Sequence, residues 1–273
     1  MNLCSGYEFM KIADICICEN NINDKLKPDI KKLYSYNNVD KQELKKAKNI
    51  FIKTDYIDYF FRKYYKFLSE DIIIITHNSD YEINKKYKNI LDLPKIKKWY
   101  AQNVKFEHSK LNSIPIGIAN PQYKHGNKLL LEKIKNNNLT KSNLLYINFN
   151  TNTNPGQRNH IYNIFKDLPN DCNKNLTQEE YLENIAKSKF CISPPGNGTD
   201  CHRIWECIYM DTVPIVKRDI AFAQFEDLPI LFIDNWEEIN NKYLLDKYNK
   251  IINEGKKDKI YIEYWIKQLN LNK

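Results

Sequence analysis

The chain has 273 residues, 42% hydrophobic and 28% charged, with a formal net charge of +8. That length accommodates one or two domains with sizeable cores, and the composition is that of a soluble globular protein rather than a disordered or fibrous one. The positive charge comes from scattered lysines such as Lys31-Lys32, Lys85-Lys86 and Lys256-Lys257. A basic stripe interleaved with aromatics is missing, so a nucleic-acid binder is not expected.

Read in chain order, short apolar runs alternate with segments of helical periodicity. Strands are expected at Asn49–Lys53, Asp71–Thr76, Ser113–Ile118, Leu144–Phe149, Phe190–Ser193, Val213–Val216 and Ile230–Ile233. Several are continuous and β-branched, the pattern of strands covered on both faces. Helices are expected at Asp55–Leu68, Pro94–Gln102, Asn127–Asn136, Gln157–Phe165, Gln178–Ser188 and Asp200–Met210, with a capping box at Thr177–Glu180. The closing stretch Asp258–Leu269 reads as an amphipathic helix. The alternation implies an α/β fold with parallel sheets. The polar stretch Asn136–Ser142 suggests a division into 1–140 and 141–257, with 258–273 as a terminal helix.

Seven cysteines without a CxxC pair point to reduced thiols, and a zinc site is not expected. Cys16 and Cys18 share one face of a strand. No basic-then-apolar leader opens the chain, and no apolar run approaches the roughly 18 residues of a membrane span. A cytoplasmic protein without a membrane span is the expectation.

Arginine is scarce beside lysine: only Arg62, Arg158, Arg203 and Arg218 occur. A planar fork binds phosphate or carboxylate in a way an ammonium cannot, which marks Arg158 and Arg203. The segment "SPPGNGTDCHRIWE", Ser193–Glu206, ends a strand at Pro194-Pro195 and passes through Gly196-Asn197-Gly198. The glycines allow positive φ and close approach of a ligand. Thr199 or Asp200 then caps a helix containing His202, Arg203 and Glu206. A helix N-terminus with a cationic fork favours an anion. Glu206, one turn deeper, can accept from two vicinal hydroxyls, so the layout fits a nucleotide. A tight strand–helix turn with an Arg203–Glu206 surface pair is the alternative. Neither the P-loop nor the dinucleotide fingerprint is met. A second loop, from Asn148 through Asn150 to Arg158, leaves a strand's C-terminal end, where open α/β sheets bind ligands; a solvated loop is its alternative.

These stretches resemble the exostosin-type glycosyltransferases, particularly the compact versions of large DNA viruses and algae. The block "SKFCISPPGNGTDCHRIWECIYMDTVPIV" carries the likeness, with "LLYINFNTNTNPGQR", "FIKTDYIDYFF", "IIIITHNSD", "WYAQNV" and "SIPIGIAN" beside it. Cys207 and Asp211-Thr212 depart from the family's small residues and Gly-Cys. The resemblance implies a GT-B fold: two Rossmann-like domains facing across a cleft, with the last helix returning to the first domain. It implies an inverting enzyme, a UDP-sugar donor held by the C-terminal domain, and a glycan or glycosylated acceptor held by the N-terminal one. The diphosphate would meet Arg158, Arg203 and the loop amides, with Asn150, Ser193, Pro195, Asn197, Asp200 and His202 around them. No DxD occurs, so no cofactor or divalent metal is expected. "THNSD", Thr76–Asp80, ends the most apolar strand, so Asp80 is the first candidate base, His77 the second and Asp55 the third. Asn78, Asn103 and His125-Gly126 join Thr76 and Asp55 on the acceptor side. Trp99 reads better as core. An inactive nucleotide-sugar or glycan-binding module of the same fold remains the alternative, and a monomer or a dimer would serve either.

Overall fold

The computed structural model describes residues 1–19, 29–69 and 71–269. The chain divides into two units, Met1–Tyr123 with Tyr261–Lys273, and Lys124–Ile260. The division falls before the helix at Lys128–Asn136 rather than after it. That helix packs on Gln178–Ala186 of the second unit, which places it there.

The first unit runs α1 (Gly6–Ile12), β1 (Ile15–Cys18), β2 (Leu33–Ser35), α2 (Lys41–Lys46), β3 (Asn49–Lys53), α3 (Ile57–Tyr64), β4 (Ile72–His77), α4 (Lys88–Leu91), β5 (Ile96–Ala101) and β6 (Leu111–Ser113). Its sheet has the order β2-β1-β3-β4-β5-β6 with parallel pairings throughout. The β-branched runs of β3 and β4 are buried because helices cover them. In α3 the buried residues Ile57, Phe60, Phe61 and Tyr64 follow i, i+3, i+4, i+7 and form the stripe that meets the sheet. The closing helix, Ile262–Gln268, belongs to this unit and sets Trp265 against Phe9 of α1.

Two expectations change here. Pro94–Gln102 is not a helix but contains β5. Ile96, Trp99 and Tyr100 match a helical stripe, yet the same residues pair with β4, and the Trp99 indole donates to Thr76 Oγ1 at 2.9 Å. Tertiary pairing overrides the local pattern. The run Ser113–Ile118 is strand only at Ser113, where β6 ends; Gly117 then turns the chain with φ 67° against the Cys4 carbonyl, a place closed to a side chain.

The second unit runs α5 (Lys128–Asn136), β7 (Asn143–Tyr146), α6 (Pro155–Phe165), α7 (Gln178–Ala186), β8 (Ser188–Ile192), α8 (His202–Tyr209), β9 (Val213–Lys217), β10 (Leu231–Ile233) and α9 (Asn241–Glu254). The sheet order is β10-β9-β8-β7, again parallel. The capping box at Thr177 forms as expected. Phe190, Ile192, Val213, Ile215, Leu231 and Ile233 make the sheet's share of the core, with Ile161, Phe165 and Leu244 from the helices. Among the described residues no helix is long and apolar enough to cross a membrane.

Candidate functional site

The strands β7 and β8 are neighbours, with Tyr146 opposite Cys191. The loops that leave their C-terminal ends therefore run side by side, and they are the two loops that carry the arginines. Arg158, in the first turn of α6, is buried and ties them together. Its Nε donates to the Pro195 carbonyl at 2.9 Å and its Nη1 to the Asn150 carbonyl at 3.0 Å. Asn154 holds the same junction: it takes the left-handed conformation (φ 55°) that asparagine tolerates, and its Nδ2 donates to the Gly196 carbonyl at 2.8 Å. Arg158 Nη2 is left without a protein acceptor among the described residues. A Cβ on Gly196 would stand 3.6 Å from it, so the glycine keeps the space beside this nitrogen open.

Of the two uses expected of these glycines, positive φ is not found at Gly196 or Gly198. The cap also differs. Cys201 is the N-cap of α8 and gives no side-chain bond, whereas the Asp200 carboxylate accepts from the Trp205 indole at 2.8 Å and is buried. Asp200 anchors the start of the helix to its core face. Ser193 is likewise inward, its hydroxyl donating to the Cys191 carbonyl at 3.2 Å. Asn150 and Asn197 are exposed at the loop tips.

Arg203 is not in a surface pair with Glu206. No protein group among the described residues accepts from its guanidinium. Its Nε is sealed from solvent without a partner, and the guanidinium lies over the Tyr181 ring, 5.7 Å from the centroid. Glu206 is buried, and its Oε2 accepts from the Tyr181 hydroxyl at 2.8 Å. Burial pushes the Glu206 carboxyl up from its ordinary value, against the opposing pull of the Tyr181 hydroxyl, Arg203 and His125. Burial, and then the positive charge of Arg203, lower the Arg158 guanidinium. Two guanidiniums thus repel one another in a partly dry site with no carboxylate bonded to either. An arrangement of that kind costs folding energy and is relieved by a bound anion.

Tyr181, on α7, was missed by the sequence reading. It is one of 19 tyrosines and lies away from both loops in the chain. Its place in the i+4 rhythm after Thr177 marks only a core-facing helix position. His125 is displaced from its expected place. It belongs to the second unit, its carbonyl accepts from Gln178 Nε2 at 2.7 Å, and its ring stands 6.0 Å from that of His202. Burial and then His202 lower its basicity.

In the first unit the residues at the end of β4 mostly build structure. His77 is buried; its Nδ1 lies 2.7 Å from the Asn78 amide nitrogen and 3.1 Å from Asn78 Oδ1, and its Nε2 lies 3.0 Å from the Pro115 carbonyl. A histidine with both nitrogens so engaged is no base for a substrate. Thr76 is buried under Trp99, itself core. Asn78 is left-handed (φ 60°), and its Oδ1 accepts from Asn120 Nδ2 at 3.0 Å. A Cβ at Gly6 would fall 1.7 Å from the same Asn78 oxygen, so α1 can approach only through glycine. Asn103 is a buried turn residue (φ 55°) whose Nδ2 reaches the Asp80 carbonyl at 3.4 Å. Asp80 and Asp55, by contrast, are exposed. Asp80 caps no helix, since Asn84 caps the turn that follows. Lys53 and His77 are register partners, so Asp55 and Asp80 leave the same edge of two neighbouring strands.

The family model of the RXYLT1 C-terminal domain matches residues 137–271, which hold both arginine loops, Tyr181 and Glu206. The match supports a glycosyltransferase. No curated protein matches the chain. Among solved structures the chain is similar to an alpha1,3-fucosyltransferase, at 12% identity over 94% of this chain and 90% of that one, TM-score 0.48. It is similar also to a glycosyltransferase from Rickettsia africae ESF-5, at 12% identity over 98% and 95%, TM-score 0.49.

Proposed function

We propose that the chain is an inverting glycosyltransferase that draws its sugar from a UDP-sugar and passes it to a hydroxyl of a glycan. The observation that carries this reading is the pair Arg158 and Arg203, carboxylate-free and half-dry, beside the buried carboxylate of Glu206. A diphosphate neutralises the first two, and ribose hydroxyls donate to the third. The match to the RXYLT1 C-terminal domain over the same residues supports it.

The roles follow from the bonds each residue already makes. Arg158 spends Nε and Nη1 on the two loops and offers Nη2 to the diphosphate. Arg203 has its whole outer fork to give. As the bond from the anomeric carbon to the diphosphate breaks, negative charge grows on the leaving oxygens, and fixed donors of this sort stabilise it by about 3–4 kcal/mol each. The arginines do the work a divalent cation does elsewhere, so transfer proceeds with EDTA present. Asp80, exposed at the end of β4, takes the proton of the attacking hydroxyl. The protein works in the cytoplasm.

The test is calorimetric titration with UDP and a panel of UDP-sugars, in EDTA and then with Mn²⁺, followed by a hydrolysis and transfer assay. Metal-independent binding of UDP and of one UDP-sugar is expected, and that sugar names the donor. A folded protein that binds no nucleotide overturns the reading. One that binds a UDP-sugar but never turns it over is a binding module.

A further inference from the structure

We infer that Tyr181 is a positioning residue of the nucleotide site, a side chain that orders both Glu206 and Arg203; the inference rests on the nucleotide reading above. Its hydroxyl donates to Glu206 Oε2 at 2.8 Å, and its ring face lies under the Arg203 guanidinium at 5.7 Å. The two charges sit three residues apart on α8 and make no hydrogen bond or ion pair with each other among the described residues. Tyr181 reaches them from α7, a separate element, and holds them apart.

The phenol does two things at once. By donating to Oε2 it fixes the carboxylate rotamer and leaves Oε1 to receive ligand hydroxyls. It also favours the ionised form of the carboxyl, since a hydrogen bond to the charged form opposes the upward push of burial. Under the guanidinium, the ring face attracts the cation and keeps its fork pointed away from Glu206. Without Tyr181 the obvious collapse is an Arg203–Glu206 ion pair, in which each group consumes the other and neither is left for the ligand. The charged and titratable groups around Glu206 are Tyr181 on α7, Arg203 and Cys207 on α8, Cys191 on β8 and His125 ahead of α5.

Tyr181→Phe keeps the ring and removes only the hydroxyl. Titrated with UDP, the variant should bind about tenfold more weakly, the loss of one hydrogen bond to a charged group. Binding of inorganic pyrophosphate, which needs the arginines and not Glu206, should stay within about twofold. The pH profile supplies a readout that a packing defect does not move. Glu206 loses a donor that holds its value down, so the acid limb of UDP binding should move to higher pH in Tyr181→Phe relative to wild type. In a Glu206→Gln background the same substitution should have no further effect on UDP affinity. Wild-type UDP binding with an unchanged affinity and acid limb in Tyr181→Phe overturns the inference and leaves the nucleotide reading standing. Additive losses in the double variant overturn it too. A wild-type chain that binds no UDP removes both.

Discussion

Replacing Arg203 with methionine separates the folding role of a guanidinium from its binding role. The structure gives Arg203 no hydrogen bond and no ion pair among the described residues, only the Tyr181 ring. Losing that contact costs about 0.5–2 kcal/mol. Removing the partnerless buried Nε relieves about 1–3 kcal/mol. The terms nearly cancel, and methionine fills much of the same space, so urea denaturation should show a change of no more than about 1.5 kcal/mol in either direction. Binding is another matter. Two charge-assisted bonds to a diphosphate are worth about 1.5–3 kcal/mol each, so UDP affinity should fall by about 10²–10⁴-fold. Arg203→Lys should also bind poorly, since charge without the fork does not restore two parallel bonds. Destabilisation beyond about 3 kcal/mol would show that the guanidinium holds the fold together. Unchanged UDP affinity in a folded variant would remove Arg203 from the site.

Arg158→Met should behave in the opposite sense: it strands the carbonyls of Pro195 and Asn150, so urea denaturation should report a loss of about 2–4 kcal/mol in the second unit, softened by release from Arg203. Wild-type stability would deny the strut. Asp80→Asn should leave UDP binding within about twofold and reduce transfer about 10²–10⁴-fold; surviving transfer moves the base to Asp55, which is exposed on the same edge. Alkali should destabilise the fold through its thiols. Burial raises Cys4, Cys16 and Cys18 above the ordinary thiol value, so the folded state keeps protons the unfolded state has lost. Their stabilising effect is whole below about pH 8.5 and declines as pH rises above it. Chemical denaturation midpoints across that range, compared between wild type and Cys16→Ala, measure the effect, and parallel pH curves would count against it.

Much of the sheet was legible because its strands are buried on both faces: β3, β4, β8 and β9 show as unbroken apolar runs. What escaped did so for particular reasons. Of β1 only the shared face of Cys16 and Cys18 showed, since its four residues are too few to mark the strand's bounds, and β2 is only half-buried. Helix α9 buries Leu244 alone; Tyr243, Tyr248, Ile251 and Ile252 are only partly covered, and lysine and asparagine dilute the stripe. In β5 the apolar spacing serves helix and strand equally, and the pairing with β4 and β6, with the Trp99–Thr76 bond beside it, decides between them.

The site divides along the same line. Chain order placed both arginines at the ends of adjacent strands, because in a parallel sheet those ends share an edge. It could not tell the arginines apart. Each lies at the start of a helix after a polar loop, and each has the same fork. What distinguishes them is the company of distant residues. Two backbone carbonyls answer Arg158, so its charge is largely committed to joining the loops. Among the described residues Arg203 meets the face of a tyrosine from another helix and no acceptor, so its hydrogen-bonding capacity is held in reserve. The spacing of Arg203 and Glu206 predicts mutual pairing on a helix surface. The tyrosine instead engages one carboxylate oxygen and the face of the guanidinium, and the uncommitted guanidinium is the feature that points to an anionic ligand.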